Sequence, residues 1–424
     1  MATDATRLRP SITHELPPSA DLVVVGGGIV GAATAFFAAR AGLRVVVLER
    51  RAALATLTTP ASTGAFRLQF DNPEEIALVR EGVELFDAFA ERTGLDGWDL
   101  GVTHGGYLFA SLTDATLDRS RRLVARQRDW GLTDVELLDG DEARRRFAYL
   151  GPDVRGARYR AADGWLDVKA LAVGYATAAS HATRIPDGLP GGGATFVTAT
   201  TVTGFHLSDD GSRLAGVATS RGRIATGMAV IAAGPFTAVV AGLAGVPLDI
   251  RPTRRQKLVI PTLAAVPPDA PMTIEEETAA HWRPAMRGAL ALFTDPAEPP
   301  ADAADPTPVG HDWAFGLLDP ASDHALARVA PFWREAWNDG APTFHWFLQA
   351  GQYEVTPDRR PYLGPVRGLG PEGLHINGGY SGHGIMAGAA SSRLVVDLLT
   401  ERADPASNPL RVDRSMDARE HDIL

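Results

Sequence analysis

Cysteine is absent from the chain of 424 residues. This absence excludes disulfides, thiolate metal ligands, cysteine nucleophiles and cofactors linked through cysteine. A protein without cysteine is typical of a reducing compartment. We therefore expect a cytoplasmic protein without a metal site.

Lysine is nearly absent: Lys169 and Lys257 are the only two lysines, and all other basic residues of the Lys/Arg type are arginines. The preference for arginine, with abundant alanine, glycine and proline, suggests a GC-rich bacterial genome. The formal net charge is −10. An acidic chain repels phosphate backbones, so we expect no nucleic-acid partner.

Long uninterrupted apolar runs are also missing. The uncharged segment 224–248 is interrupted by Gly234-Pro235, Gly242, Gly245 and Pro247. It is therefore interpreted as a buried strand and a short helix, and no membrane span is expected. The first 20 residues lack a basic start followed by an apolar run, so we expect no signal peptide there.

Hydrophobic residues make up 45% of the chain and charged residues 22%, which is typical of a globular protein with a core. The length suits two or three domains, or two interleaved ones. Patterns of alternating strand and helix lie at the start, middle and end, with sheet-rich segments between them. We therefore expect two domains, each assembled from separate pieces of chain.

The first glycine motif lies in DLVVVGGGIVGAATAFFAARAGLRVVVLER, residues 21–50. Gly26, Gly28 and Gly31 follow an apolar strand in G-x-G-x-x-G spacing and open a helix, while Glu49 ends the next strand. Such glycines permit a tight turn, close approach to a pyrophosphate and close packing of helix on strand. An acid at Glu49 accepts hydrogen bonds from ribose hydroxyls and repels a 2′-phosphate. The motif predicts a dinucleotide, and by itself it leaves FAD and NAD open.

The second glycine motif, NGGYSGHGIMAGAAS, lies between an apolar strand at 374–377 and a helix over 385–401. It brings a helix N-terminus and bare backbone amides to a place where a flat or anionic group must approach. In a flavoenzyme such donors stabilise the negative charge of the reduced ring. A glycine-rich turn used only for packing is the alternative.

Four stretches together resemble the D-amino-acid oxidase-like superfamily of FAD enzymes, which includes glycine oxidases and sarcosine oxidases. They are VVVGGGIVGAATA…VVVLER, STGAFRLQF, VIAAGPFTAVVAGLAGVPLDIRP, and GQYEVTPDRRPYLGPV with the second glycine motif. The resemblance covers about residues 20–402, and the last stretch is the most specific.

The resemblance implies an α/β fold with an α+β second domain: a Rossmann-like FAD-binding domain interleaved with a mixed β-sheet substrate domain. The expected bounds are 20–96, 166–245 and 346–402 for the FAD-binding domain, 97–165 and 246–345 for the substrate domain, and tails at 1–19 and 403–424. FAD would be non-covalent, since the chain has no cysteine and no histidine between Arg50 and Asp71.

The resemblance also implies a set of FAD-binding residues along the chain. They are Gly26, Gly28, Ile29, Val30, Gly31, Glu49, Arg50, Ser62, Thr63, Gly64, Val202, Ala233, Gly234, Gly379, Ser381, Gly382, His383, Gly384, Ile385 and Met386.

Two departures from simple sarcosine oxidases affect the substrate pocket. Met386 stands where those enzymes have a lysine, and Phe70 stands where they have a second arginine. Those enzymes have another lysine, thought to help oxygen react, in the strand that matches residues 288–293. This chain has no lysine after Lys257. We therefore expect a more apolar pocket that lacks the lysines of the family.

The implied activity is oxidation of the C–N bond of an amine or amino acid, of the secondary, N-methyl or D-amino-acid type. Hydride would pass to flavin N5, an imine would form, and oxygen or a carrier would take the electrons. Arg67 and Arg283 are candidate anchors of a substrate anion. His383 and Tyr353 are candidates for the site beside the flavin. A flavoprotein scaffold and a 2-hydroxy-acid dehydrogenase remain alternatives, and the oligomeric state stays open.

Overall fold

The computed structural model describes residues 8–182, 192–295, 297–338 and 345–416. The parts of the predicted tails and domains at 1–7, 183–191, 296, 339–344 and 417–424 lie outside the described residues.

Twenty strands are numbered in chain order within this part of the protein. They are β1 Ile12–Thr13, β2 Leu22–Val25, β3 Arg44–Leu48, β4 Ala65–Phe66, β5 Tyr107–Ser111, β6 Glu136–Asp139, β7 Gly156–Arg160, β8 Gly164–Trp165, β9 Gly193–Val197, β10 Val202–Leu207, β11 Leu214–Thr219, β12 Gly222–Ala225, β13 Ala229–Ile231, β14 Arg251–Ile260, β15 Met272–Glu275, β16 His281–Ala285, β17 Gly288–Leu292, β18 Phe347–Val355, β19 Tyr362–Pro365 and β20 Leu374–Gly378.

Eleven α-helices are numbered in the same way over the same described ranges. They are α1 Ile29–Arg40, α2 Thr58–Ala61, α3 Pro73–Asp87, α4 Phe89–Thr93, α5 Asp114–Asp129, α6 Gly140–Arg146, α7 Val168–Ser180, α8 Thr237–Gly242, α9 Asp312–Leu318, α10 Phe332–Asn338 and α11 Gly384–Leu399.

A seven-stranded sheet forms the first layer, in the order β1-β9-β3-β2-β13-β20-β19. Its strands are parallel from β1 to β20, and β19 joins antiparallel at the edge. The central strands are short, apolar and buried on both faces, as parallel strands under helices require. Helix α1 packs against α7 and α11 on this sheet. The predicted Rossmann-like layer is therefore confirmed.

An eight-stranded mixed sheet forms the second layer, in the order β18-β14-β17-β16-β15-β5-β7-β6. Only β15 and β5 pair in parallel within it. The sheet draws β5 to β7 from one stretch of chain and β14 to β17 from another, as the resemblance implied. The α/β class with a second α+β unit is confirmed.

Strand β18 differs from the predicted domain bounds. Residues 346–402 were assigned to the FAD-binding domain, yet β18 pairs with β14 from Arg251↔Val355 to Val259↔Phe347 in the second sheet. The antiparallel pairing links segments about a hundred residues apart, which local pattern cannot reveal. The remaining bounds stay a prediction.

The two segments predicted as tails pack against the body where they are described. Strand β1 pairs in parallel with β9, so Ile12 lies opposite Phe196. Leu410 and Val412 are buried, and Arg414 pairs with the buried carboxylate of Asp358. The Asn408 side-chain amide also donates to the carbonyl oxygen of Leu363, so residues 408–414 brace β19 and the loop before it.

Helix α3 fixes the start of α11 through a close contact at Gly82. A Cβ added there would lie 2.3 Å from the carbonyl oxygen of Met386. We predict that Gly82→Ala destabilises the protein by about 2 kcal/mol, because backbone must move to admit the methyl group. Thermal unfolding of the purified variant measures this loss.

Gly242→Ala in α8 is the matched control. An added Cβ there meets nothing within 4 Å. Alanine is favoured over glycine in a helix by about 0.5–1 kcal/mol, so this variant should be unchanged or slightly more stable. Equal stability of the two variants would contradict the proposed contact.

Candidate active site

The first glycine turn places the N-terminus of α1 at a cavity. Gly26 has φ 116°, and a Cβ added to Gly31 would lie 1.8 Å from the carbonyl oxygen of Gly26. Gly28, at the N-cap of α1, has no side chain, and Thr59 Oγ1 accepts a hydrogen bond from the Ile29 N–H at 3.3 Å. The partial positive charge of the helix start is still available to an anion, as the glycine spacing predicted.

Glu49 lies at the end of β3 and holds this turn together. Its carboxylate accepts hydrogen bonds from the backbone N–H groups of Gly27, at 2.8 Å, and Arg51, at 2.7 Å. Burial raises the pKa of Glu49, although these two donors oppose the shift. The carboxylate has further lone pairs that can accept hydrogen bonds from ribose hydroxyls.

The second glycine turn carries the chain from β20 to α11. Gly379, Ser381 and Gly382 have φ of 81°, 52° and 104°. A Cβ added to Gly382 would lie 2.4 Å from the Tyr353 ring, so glycine is required for this approach. Helix α11 begins without a side-chain cap from the described residues.

Both turns line the same cavity, which has a volume of about 1700 Å³ including its open mouth. The cavity runs from the first glycine turn to the second, so one elongated ligand can contact both turns. Most of the predicted cofactor residues lie on its wall. These are Gly26, Gly28, Ile29, Val30, Glu49, Arg50, Ser62, Thr63, Val202, Ala233, Gly234, Gly382, Gly384 and Ile385, together with the candidate Tyr353.

Eight predicted site residues do not lie on the wall of this cavity. They are Gly31, Gly64, Gly379, Ser381, His383, Met386, Arg67 and Arg283. Gly31 and Gly64 permit close backbone packing, against Gly26 and Leu166 respectively. Met386 presents its carbonyl to α3. Any direct contact of these eight residues with a ligand remains a prediction.

His383 is held by a carboxylate behind the glycine turn. Its Nδ1 lies 2.9 Å from Oε1 of Glu75 on α3, and its ring stands edge-on to Phe70. The Glu75 carboxylate also accepts from the side-chain amide of Asn72. The geometry makes His383 a residue that positions the turn.

Arg67 is buried among aromatic rings. Its guanidinium donates to the carbonyl oxygen of Gln69 at 2.9 Å and lies over the rings of Phe70, Tyr107 and Phe109. Such stacking stabilises a buried cation. The predicted role of Arg67 as an anchor of a substrate anion stays a prediction.

Arg283 contacts the protein backbone. Its Nε and Nη2 donate to the carbonyl oxygen of Thr63 at 3.0 and 2.6 Å, and its Nη1 donates to that of Pro284. Burial lowers the pKa of Arg283 to about 10. The cation therefore fixes the segment that carries Ser62 and Thr63.

Strands β14 and β18 supply cavity residues that the sequence patterns missed. Arg255 and Lys257 line the cavity from β14, and Glu354 lines it beside Tyr353 on β18. The lysines of simple sarcosine oxidases are absent at residue 386 and on β17, but Lys257 on the neighbouring strand β14 lines the cavity. Alternation along β14, which puts residues 255 and 257 on one face, was the available signal.

Glu354 is a buried carboxyl behind the second glycine turn. It accepts hydrogen bonds from the backbone N–H groups of Gly379 and Tyr380, and Thr237 Oγ1 lies 3.5 Å away. No cation among the described residues forms an ion pair with it, and burial raises its pKa to about 7. The carboxyl thus ties the loop to β18 and titrates near neutrality.

The donors of this cavity fit FAD. Two helix N-termini at glycine turns, with the backbone amides around them, suit a pyrophosphate and an electron-rich ring. Glu49 suits a ribose. The fold and the cavity together define a dinucleotide-binding protein whose second sheet lines part of the cavity.

The family follows from comparison with known proteins. The model of the DAO family, described as FAD dependent oxidoreductase, matches residues 21–398. The chain belongs to this family, so the predicted resemblance and FAD as the cofactor are confirmed.

Curated relatives cover nearly the whole chain. Glycine oxidase of Pseudomonas aeruginosa is 26% identical over 92% of this chain and 96% of its own length. FAD-dependent oxidoreductase domain-containing protein 1 of Xenopus laevis is 27% identical over 92% of this chain and 81% of its own length. Human mitochondrial sarcosine dehydrogenase is 25% identical over 89% of this chain, which spans 39% of that protein.

Solved structures share the fold. Glycine oxidase of Geobacillus kaustophilus has a TM-score of 0.76 at 23% identity, over 95% of this chain and all of its own. L-Proline dehydrogenase of P. horikoshii has a TM-score of 0.75 at 24% identity, over 94% and 96%. Within the described ranges, no helix is long and apolar enough to cross a bilayer.

Glu354 predicts a pH dependence of stability. Its folded-state pKa lies near 7, against 4.5 for an ordinary glutamate, so its stabilising contribution is full below about pH 4.5 and is lost as the pH rises through 7. Glu354→Gln keeps an acceptor for both amides and does not ionise. We expect the variant to gain about 2 kcal/mol relative to the wild type between pH 5 and 8.

Thermal unfolding of both proteins across this range measures the difference. Glu372→Gln, at an exposed glutamate, is the control and should follow the wild type. Parallel stability curves for the wild type and Glu354→Gln would show that the buried carboxyl does not titrate in this range.

Proposed function

We propose that this FAD-dependent oxidoreductase oxidises the C–N bond of an amine or amino acid, of the secondary, N-methyl or D-amino-acid type. Oxygen or an electron carrier would take the electrons. The proposal is supported by glycine oxidase and sarcosine dehydrogenase among the relatives, which are similar over most of this chain.

The observation that carries the proposal is a group of cationic and aromatic side chains that the second sheet contributes to the cavity wall. There Arg255 and Lys257 of β14 and Tyr353 of β18 form a wall with Leu292 of β17. The guanidinium of Arg255 lies 5.4 Å from the Tyr353 ring centroid. A chamber with cations and an aromatic wall beside the cofactor suits a small substrate that bears a carboxylate.

Arg255 is the proposed anchor of that carboxylate. Its Nη1 donates to the carbonyl oxygen of Arg254, and its Nε makes no hydrogen bond to the described residues. It forms no ion pair within the described chain, and burial lowers its pKa. A partly buried guanidinium without a carboxylate partner favours an anionic ligand.

The other chamber residues would orient the substrate and exclude water. FAD, when bound, supplies the electron acceptor for a two-electron oxidation. The Tyr353 ring packs against Gly382, so it fixes the distance between the chamber wall and the glycine turn. Holding the reacting bond close to the cofactor supplies much of the rate acceleration in such sites.

Anaerobic reduction of the purified yellow protein tests the reaction class. N-methyl amino acids, D-amino acids or cyclic amines should bleach the flavin absorbance, and 2-hydroxy acids should not. Bleaching by hydroxy acids alone would replace the proposal with a hydroxy-acid dehydrogenase. A protein that keeps its colour with every substrate would be a scaffold. Stoichiometric peroxide on admitting air identifies an oxidase.

Arg255→Gln tests the anchor. Loss of a charged hydrogen bond should raise the half-saturating concentration of a carboxylate substrate by about 10- to 100-fold. The same substrate as its amide should be little affected. Arg254→Gln is the matched control, because Arg254 pairs with Glu298 at 2.6 Å and does not line the cavity. Equal effects of the two variants would rule out Arg255 as the anchor.

A further inference from the structure

Two buried cations of the second sheet contact the segment that crosses the cavity wall after α2. Lys257 Nζ donates to the carbonyl oxygens of Pro60, at 3.0 Å, and Ser62, at 2.7 Å. Arg283 donates twice to the carbonyl oxygen of Thr63. Three carbonyls within four residues are thus held by cations from β14 and β16.

These cations have no carboxylate partner among the described residues. Lys257 and Arg283 are 6% and 8% exposed, and neither forms a salt bridge there. Charging a buried group without a counter-ion costs free energy. Backbone carbonyls offset only part of that cost, so the site favours an anion nearby.

The held carbonyls also determine where the amides point. In a trans peptide the N–H points opposite to the carbonyl of the preceding residue. Because the Ser62 carbonyl points to Lys257, the Thr63 N–H points away from it. That N–H makes no hydrogen bond to the described residues, and Thr63 lines the cavity. One backbone donor is therefore directed away from the cations and left for a ligand.

We propose that Lys257 and Arg283 form a carbonyl clamp on residues 60–63 that aims the Thr63 amide at bound FAD and lends positive charge to the cofactor. The clamp residues are positioning residues, since they act on FAD through residues 60–63 and through their field. This inference rests on FAD binding and not on the proposed substrate class.

Protonation of Lys257 would couple to FAD binding. Burial, with a smaller contribution from the positive Arg283, lowers the pKa of Lys257 to about 8. Arg255, two residues along the same strand face, adds a further positive charge on the cavity wall. A negatively charged cofactor favours the protonated amine. FAD binding near pH 8.5 should therefore take up a proton, and FAD affinity should fall as the pH rises above 8.

Lys257→Met, Lys257→Arg and the control Lys169→Met test the clamp. Lys169 is the only other lysine of the chain and is exposed. FAD affinity is measured by titration of the apoprotein, proton uptake by calorimetry in buffers of different ionisation enthalpy, and the flavin midpoint potential by dye equilibration.

Lys257→Met should weaken FAD binding by about tenfold or more, make the midpoint potential more negative and abolish proton uptake. Lys257→Arg stays charged at all these pH values, so it should restore the potential but not the proton uptake. If Lys257 had only a structural role, Lys257→Arg would not restore the midpoint potential while leaving the proton uptake abolished. Lys169→Met should match the wild type in all three.

Wild-type affinity, potential and proton uptake in Lys257→Met would overturn the clamp. If that variant does not fold, Lys257→Arg decides, because proton uptake like that of the wild type contradicts the inference. A wild-type protein that binds no FAD would instead contradict the cofactor assignment, which is a separate result.

Discussion

The packing of α1 against α11 is the contact on which the rest of the site depends. Val30 of α1 lies against Gly388 of α11, where an added Cβ would come within 3.2 Å of the valine side chain. The buried Asn377 amide donates to the hydroxyls of Thr34, at 2.9 Å, and Ser392, at 3.1 Å. A satisfied buried network of this kind specifies one relative placement of its helices. Both helices begin at the cavity, so the contact brings two positive helix ends to one place.

The second sheet supplies the rest of the cavity wall. Strands β14 and β18 cover the cavity with their Arg255, Lys257 and Tyr353 side chains, while Arg283 reaches from β16 to the backbone beneath. The helices of the first sheet thus bring their dipoles and free backbone amides to the cavity. The second sheet brings the full positive charges of Arg255 and Lys257. The backbone of the first layer and the cationic side chains of the second layer therefore line one cavity.

The glycine turns could be predicted from sequence because their requirements are local. At Gly26 and at Gly382 the chain passes within a few residues from a strand to the start of a helix. Between the two lies a backbone position that is left-handed or crowded. The parallel order of the first sheet follows from such repeated strand–helix units. Family resemblance added the mixed second sheet, which periodicity alone does not specify.

The contacts of the predicted site side chains could not be predicted from the sequence in the same way. His383 meets a glutamate 308 positions away, and Arg283 meets a carbonyl 220 positions away. Whether such a residue faces a ligand or the backbone is decided by the packing of two sheets. Lys257 was missed for the same reason, since alternation along β14 identifies a shared face but not which layer that face covers.

Hydrogen exchange with and without FAD tests most directly whether the two glycine turns bind one cofactor. Amides in residues 26–31 and 379–386 would be followed while the apoprotein is titrated with FAD. The account predicts that both segments become protected together, with the same half-saturation and one FAD per chain. Protection of one segment alone, or two different half-saturation points, would contradict it.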